Sequence, residues 1–159
     1  MYLLPVARLA ISLVLVELSL AIFAPAGALG KREDFNLPPS DQFIACPGYR
    51  YSRPQAESAI QAAIDTTADV AKKIGYPHKF GNNKKLKFSD KCKGQQLYEF
   101  PLLPGSKTYS GGNPGADRVV YYIHSNPKVK EPMTKAFYCG VMIHDGARRG
   151  EFALCPVED

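Results

Sequence analysis

The chain has 159 residues, with 20 Lys and Arg against 15 Asp and Glu, giving a net charge of +5 at pH 7 and a pI near 9.0. That length suits one domain around one hydrophobic core and leaves no room for two. The basic balance points to a polyanionic partner such as nucleic acid or an acidic surface, because phosphate draws a cationic protein through a screened long-range field. Many secreted proteins are basic, so charge alone does not choose between these.

The chain opens with Arg8 as a positive flank, a mostly apolar run from Leu9 to Phe23, and the small residues Ala26-Gly27-Ala28 at cleavage-site spacing. Glu17 interrupts the run, which falls short of the roughly 20 apolar residues that a membrane-spanning helix needs. Residues 1–28 are therefore expected to be a signal peptide, making the product secreted and extracellular with no membrane association once it is removed. Lys31-Arg32 directly after it offers a dibasic processing site. Residues 29–45 read as an N-terminal arm rich in Pro, Asp and Asn that Cys46 ties down, and 46–159 as the folded domain.

All four cysteines, Cys46, Cys92, Cys139 and Cys155, follow the leader. An even number in a chain bound for an oxidising compartment suggests two disulfides, with three connectivities open. Zinc is the alternative, but no two cysteines have the two-residue spacing that structural zinc sites favour. Neither a metal nor a cofactor is expected.

Ser52, Pro54 and Gln55 mark a helix start, and Ala56, Ile60, Ala63, Thr67, Val70 and Ile74 recur at helical spacing until Gly75 closes the run. One helix is predicted, with a stripe of Ala and Ile suited to close packing on a sheet. Short runs follow at Tyr76 to Phe80, Leu86 to Phe88, Leu97 to Leu103, Arg118 to Ile123, Phe137 to His144 and Phe152 to Cys155, separated by Gly, Pro, Asn and Asp. The pattern predicts an α+β domain, one helix packed on a twisted antiparallel sheet.

Five polar residues stand out against the apolar strands. Tyr76 and His78 are two apart, so a hydroxyl and an imidazole share a face. Glu99 sits inside Leu97-Tyr98-Glu99-Phe100-Pro101, where burial costs several kcal/mol unless the acid is paired or functional. Arg118 begins Val119-Val120-Tyr121 and His144 ends Val141-Met142-Ile143. Taken singly, each reads as readily as an exposed residue at a strand end. Together they supply an acid, a base and a cation.

The blocks Tyr76-Pro77-His78-Lys79-Phe80, Tyr98-Glu99-Phe100-Pro101, Tyr109 to Val120 and Gly140-Val141-Met142-Ile143-His144 resemble, in order, those of the fungal secreted guanyl-specific and purine-preferring ribonucleases. Tyr138-Cys139-Gly140 and Gly150 to Cys155 look still more like the ribotoxins of the same superfamily. The resemblance implies a microbial ribonuclease fold acting on RNA, with Glu99 as general base, His144 as general acid, and His78 orienting or substituting for the base. It further implies that Arg118 and Tyr76 hold the phosphate and that Phe152 packs beside the site. The base would be met by Phe80, Gly81, Asn82, Asn83 and Lys84, the first product would be a 2',3'-cyclic phosphate, and no metal would be needed. The same resemblance pairs Cys46 with Cys155 and Cys92 with Cys139.

Three features depart from the family pattern. Lys84 stands where guanyl-specific members carry a carboxylate, and a cation cannot accept hydrogen bonds from a guanine ring. Gly150 stands where they carry an amide side chain. Lys79, Lys84, Lys85, Lys87, Lys91 and Lys93 make one segment strongly basic: either a solvated face or a phosphate contact. The chain between Arg118 and His144 is longer than in the simple members, with Lys128, Lys130 and Lys135 in the added stretch, which reads as a surface hairpin; His124 at its base reads as structural. A secreted monomeric endoribonuclease acting on single-stranded RNA is the first expectation. The alternatives are an effector that binds RNA or a host protein with little turnover, and a ribotoxin-like nuclease aimed at the ribosome.

Overall fold

A computed structural model describes residues 36–83, 85–105, 107–124, 135–144 and 151–159. The expected signal peptide, most of the expected arm, Lys84, Lys128, Lys130 and Gly150 lie outside the described residues. Among the described residues, no helix is long and apolar enough to cross a membrane.

Among the described residues, regular structure begins at Phe43, ahead of Cys46, with a hairpin that the sequence does not lead one to expect. Strands β1 (Phe43–Cys46) and β2 (Tyr49–Ser52) pair around Pro47-Gly48, where Gly48 takes the left-handed conformation at φ 88°. The helix predicted as one piece is two, α1 (Arg53–Asp65) and α2 (Ala68–Ile74). Two consecutive β-branched residues make the break. The Thr66 hydroxyl donates back to the Ala62 carbonyl at 2.7 Å, and Thr67 leaves helical geometry to cap α2, its hydroxyl accepting from the Val70 amide at 3.4 Å. Only α1 carries a buried stripe, Ala56, Ala59, Ile60 and Ala63; α2 buries none of its residues.

Six further strands follow: β3 (His78–Phe80), β4 (Leu97–Pro101), β5 (Asp117–His124), β6 (Lys135–Ile143), β7 (Ala153–Cys155) and β8 (Val157–Glu158). The expected strand over Leu86 to Phe88 is a loop instead. There Asn82 takes both backbone positions of Leu86, its side chain accepting from the amide at 2.8 Å and donating to the carbonyl at 3.0 Å. With the backbone of Leu86 so engaged, no neighbouring strand pairs with it. The sheets run β2-β1-β8 and β3-β4-β5-β6-β7, every pairing antiparallel, so the α+β architecture stands.

The five-stranded sheet has two different faces. One carries Phe100, Val119, Tyr121, Tyr138, Val141 and Ile143 onto the apolar stripe of α1. The other carries Leu97, Val120, Tyr122 and Met142 into a second core completed by Phe80, Leu86, Phe88, Phe137 and Phe152. A bulge in β6 changes which residues go where. Val120 pairs with Gly140 and Tyr121 with Tyr138, so Cys139 is an extra residue and the alternation resets after it. Val141 and Ile143 thereby enter the helix-side core, and Met142 points to the opposite face.

Both disulfides join the expected partners, Cys46 with Cys155 and Cys92 with Cys139. The first spans 109 residues and ties β1 to β7, a closure worth on the order of 4 to 5 kcal/mol in chain-entropy terms. The second anchors the 81–96 segment to the bulge. Beside that bulge Gly140 is required for space: a Cβ there would lie 2.9 Å from Cδ1 of Phe88. Gly140→Ala is expected to cost about 1 to 3 kcal/mol through overpacking. Urea unfolding checks this, and the penalty should shrink in a Phe88→Leu background, where the clash has room to relax.

Candidate active site

Register places the polar misfits on the second face of the sheet. His78 pairs with Glu99 and Glu99 with Val120, while Pro101 pairs with Arg118 and Arg118 with Met142. Directly paired residues share a face and residues two apart return to it, so His78, Glu99, Arg118 and, one step past Met142, His144 all point the same way. The bulge at Cys139 is what gives His144 this parity. Its backbone position is fixed by an amide hydrogen bond to the Ala116 carbonyl at 3.1 Å.

Glu99 is 5% exposed, with Leu97 and Pro101 along its own strand and Val120 across. Its Oε1 meets His78 Nε2 at 3.3 Å, while Oε2 is buried with no hydrogen-bond partner. Burial among these apolar neighbours pushes its pKa above the ordinary value, against the opposing pull of His78 and Arg118. The other nitrogen of His78 faces the Lys79 carbonyl at 3.3 Å. His78 also stacks on Tyr76 with ring centroids 4.6 Å apart.

Arg118 is buried to 4% exposure yet held without a carboxylate contact among its hydrogen bonds. Nη1 donates to the carbonyls of Pro114, Gly115 and Asp117 at 3.1, 3.0 and 2.8 Å, and Nε donates to the Tyr76 hydroxyl at 3.0 Å. Tyr76 accepts that bond and keeps its own O–H to donate elsewhere. Tyr109 supports Tyr76 edge-on at 5.6 Å, its own hydroxyl donating to Ile74 and Gly112 carbonyls. Neither Tyr109 nor the 114–117 carbonyls were expected from sequence. The run Gly111-Gly112-Asn113-Pro114-Gly115 announces a turn but not what the turn holds.

His144 packs against Phe152 at 3.7 Å between centroids. That partial burial lowers its pKa, and the positive charge of Arg118 lowers it further. Arg118 stands on β5, between β4, which carries Glu99, and β6, which His144 directly follows, and its charge acts on both residues. Phe80 continues the line from Phe152 at 5.5 Å, followed by Gly81, Asn82 at φ 43° and Asn83. So Tyr76, His78, Glu99 and Arg118 are joined by direct contacts, and His144, Phe152 and Phe80 form a second contacting line on the same side of the sheet. His124 stands apart at the far end of β5, edge-on to Phe137.

Below Arg118 the buried carboxylate of Asp117 accepts from the Tyr51 hydroxyl at 2.5 Å, bonding β2 to the start of β5. The only grouping of close metal-type donors among the described residues is Cys46, Asp117 and Cys155, whose two sulfurs are joined to each other. It supplies no thiolate.

A buried carboxylate, two imidazoles, a guanidinium and a phenol can move a proton in each direction and hold an anion between them. A family model described as ribonuclease matches residues 41–156. The chain is 38% identical over 112 residues to guanyl-specific ribonuclease U1 of Ustilago sphaerogena, covering 70% of this chain and 93% of the relative. It is 33% identical over 112 residues to guanyl-specific ribonuclease Th1 of Trichoderma harzianum, covering 69% and 93%, and 33% identical to the extracellular guanyl-specific ribonuclease Fl1 of Gibberella baccata, covering 69% and 92%.

Because the folded-state pKa of Glu99 is raised, the fold favours its protonated form. The contribution of that form to stability is complete below 4.5, the ordinary value, and is lost as pH rises through the folded value. Glu99→Gln is expected to stabilise the protein at pH 7 by on the order of 1 kcal/mol, with the gain vanishing below pH 4.5. Thermal melts of the two proteins at pH 7 and pH 4 would show it, and equal gains at both pH values would contradict the buried-charge account.

Proposed function

Since the chain belongs to the ribonuclease family, we propose that it cuts single-stranded RNA by metal-independent transesterification at the Glu99–His144 cluster. It is an RNA-cleaving endoribonuclease. The observation that carries the reading is the buried, half-unpartnered carboxylate of Glu99 on the same sheet face as His144, with Arg118 between.

Glu99 takes the proton from a ribose 2'-hydroxyl, and the 2'-oxygen attacks the adjacent phosphorus. The new P–O2' bond forms as the P–O5' bond breaks, and His144 gives its proton to the departing 5'-oxygen. The products are a 2',3'-cyclic phosphate and a free 5'-hydroxyl. A carboxylate in an apolar setting is a stronger base than one in water, which suits the first transfer. A lowered pKa makes His144 the readier proton donor. His78 orients the Glu99 carboxylate across the strand pair, and Arg118 with the Tyr76 O–H holds the charge that builds on the phosphate oxygens. Phe152 fixes the plane of the His144 ring. Charge separation, attack and departure are all served by protein groups, so the scheme assigns no step to a metal.

The relatives are named for guanyl specificity. Phe80 remains available to stack on a base beside Gly81, Asn82 and Asn83. With Lys84 in the place of the guanine-binding carboxylate, the proposed preference is for purines, weaker than strict guanine selection. The leader at 1–28, the two disulfides and an extracellular relative support secretion, with a monomer as the working form.

Two ionisations bound the pH range. Activity requires ionised Glu99 and protonated His144, so kcat/KM should rise on an acid limb above 4.5 and fall on an alkaline limb below 6.5. Glu99→Gln should remove the acid limb. His144→Gln should reduce kcat by roughly 10²- to 10⁴-fold. Cleavage of mixed-sequence RNA by the oxidised protein with a chelator present, with end-group analysis for cyclic phosphate, tests the whole scheme. Loss of activity with chelator, or undiminished activity in His144→Gln, would overturn it.

A further inference from the structure

Apart from Phe80 and the three residues after it, the proposed site does not use the most charged part of the molecule. Residues 79–97 contain six lysines and one aspartate, which accounts for the chain's entire net charge of +5. Beneath this segment lies a cavity of about 540 Å³ that shares Phe80, Gly81 and Asn82 with the proposed base-binding segment and extends beyond them to Leu86, Phe88 and Leu97, with Lys85, Lys87 and Lys93 at its polar side. From these observations we infer that this cavity is a second RNA subsite, holding a nucleotide of the same strand next to the one being cut.

Four observations support the assignment. The cavity adjoins the cluster through Phe80, which touches Phe152 on one side at 5.5 Å and Phe88 on the other at 6.0 Å. Its volume is in the range of small-ligand sites. Aromatic faces beside unpaired cations are the combination by which proteins hold single-stranded nucleic acid, bases on the rings and phosphates on the charges. Finally, Lys85, Lys87 and Lys93 do nothing evident for the fold. Lys91 donates to the Asn36 side chain at 2.7 Å, whereas Lys85, Lys87 and Lys93 are exposed, and none has a salt bridge or side-chain hydrogen bond among the described residues. Lys85 even occupies a left-handed position at φ 57°, where glycine is less costly. Packing of the segment rests instead on Asn82, Phe88 and the Cys92–Cys139 disulfide. Clustered, unpaired like charges repel one another, and a polyanion laid across them offsets that repulsion.

The inference rests on the ribonuclease reading for its ligand but predicts something that reading does not: dependence on strand length. The test uses the full oxidised protein, a double variant Lys87→Gln/Lys93→Gln, and a control of equal charge change away from the cavity, Arg50→Gln/Lys107→Gln. Binding of a 2'-O-methyl hexanucleotide, which lacks the attacking hydroxyl and is not cut, is followed by fluorescence anisotropy across salt concentrations. Turnover of a dinucleotide and of long RNA is measured alongside. Loss of two phosphate contacts should flatten the plot of log K against log salt by about 1.4, at roughly 0.7 per contact on a single strand. Long-RNA kcat/KM should fall with it while dinucleotide kcat/KM stays unchanged. An unaltered salt slope, an equal effect in the control, or an equal loss on the dinucleotide would overturn the subsite. If the wild-type protein binds the hexamer with the predicted lysine dependence yet cuts neither substrate, the subsite stands and the catalytic scheme falls.

Discussion

Inserting Cys139 into β6 without a partner on β5 sets the rest of the molecule. A strand sends alternate side chains to opposite faces, so one extra residue exchanges the faces of everything after it. Before the bulge, Phe137 faces the second core and Tyr138 the helix. After it, Val141 and Ile143 face the helix, and Met142 and His144 the site. Uninterrupted alternation would bring Val141 and Ile143 to the catalytic face and His144 into the helix-side core. The irregularity is stabilised where it occurs: Cys139 is bonded to Cys92, the Ser89 amide donates to the Cys139 carbonyl at 3.2 Å, and Gly140 leaves room for Phe88.

The face that carries the candidate site is half core, and the electrostatics follow from that division. Glu99 and Arg118 alternate with Val120, Leu97 and Met142, so their charges are tuned by burial before they are tuned by each other. Arg118 is satisfied by three turn carbonyls rather than by Glu99. A direct pair would lower the carboxyl's basicity and leave less positive charge for a substrate. Keeping the two apart costs stability, which is recovered elsewhere by two disulfides and by the Tyr51–Asp117 bond between the N-terminal hairpin and β5.

The members of the candidate site were legible in the sequence as polar residues that break a hydrophobic pattern, above all an acid inside an apolar strand, while the roles proposed for them came from the resemblance to the fungal ribonucleases and not from the pattern. The α+β class was legible from the change of period at Gly75. What remained hidden was set by interactions with no local signature. The helix break needed two adjacent threonines to prefer their own backbone bonds over helix continuation, against an unbroken apolar repeat through Val70 and Ile74. The β1–β2 hairpin had a turn signal in Pro47-Gly48, but its strands are only four residues each and take their stability from the Cys46–Cys155 bond and from Tyr51. Leu86 to Phe88 has the composition of a strand, yet Asn82 consumes the hydrogen bonds that a strand would need.

That last substitution of loop for strand bears on function. A strand at 86–88 would spend its backbone on the sheet edge beside β3 and leave no cavity beneath it. As a loop pinned at Asn82 and Cys92, the segment drops Leu86 and Phe88 onto the sheet as a second core while its lysines remain outside. Core and basic surface are then made by alternate residues of one short segment, Lys85, Leu86, Lys87 and Phe88. Apolar residues position the lysines, and the lysines are free of structural duty. The basic surface of the segment is thus built without altering the strands that hold the candidate site.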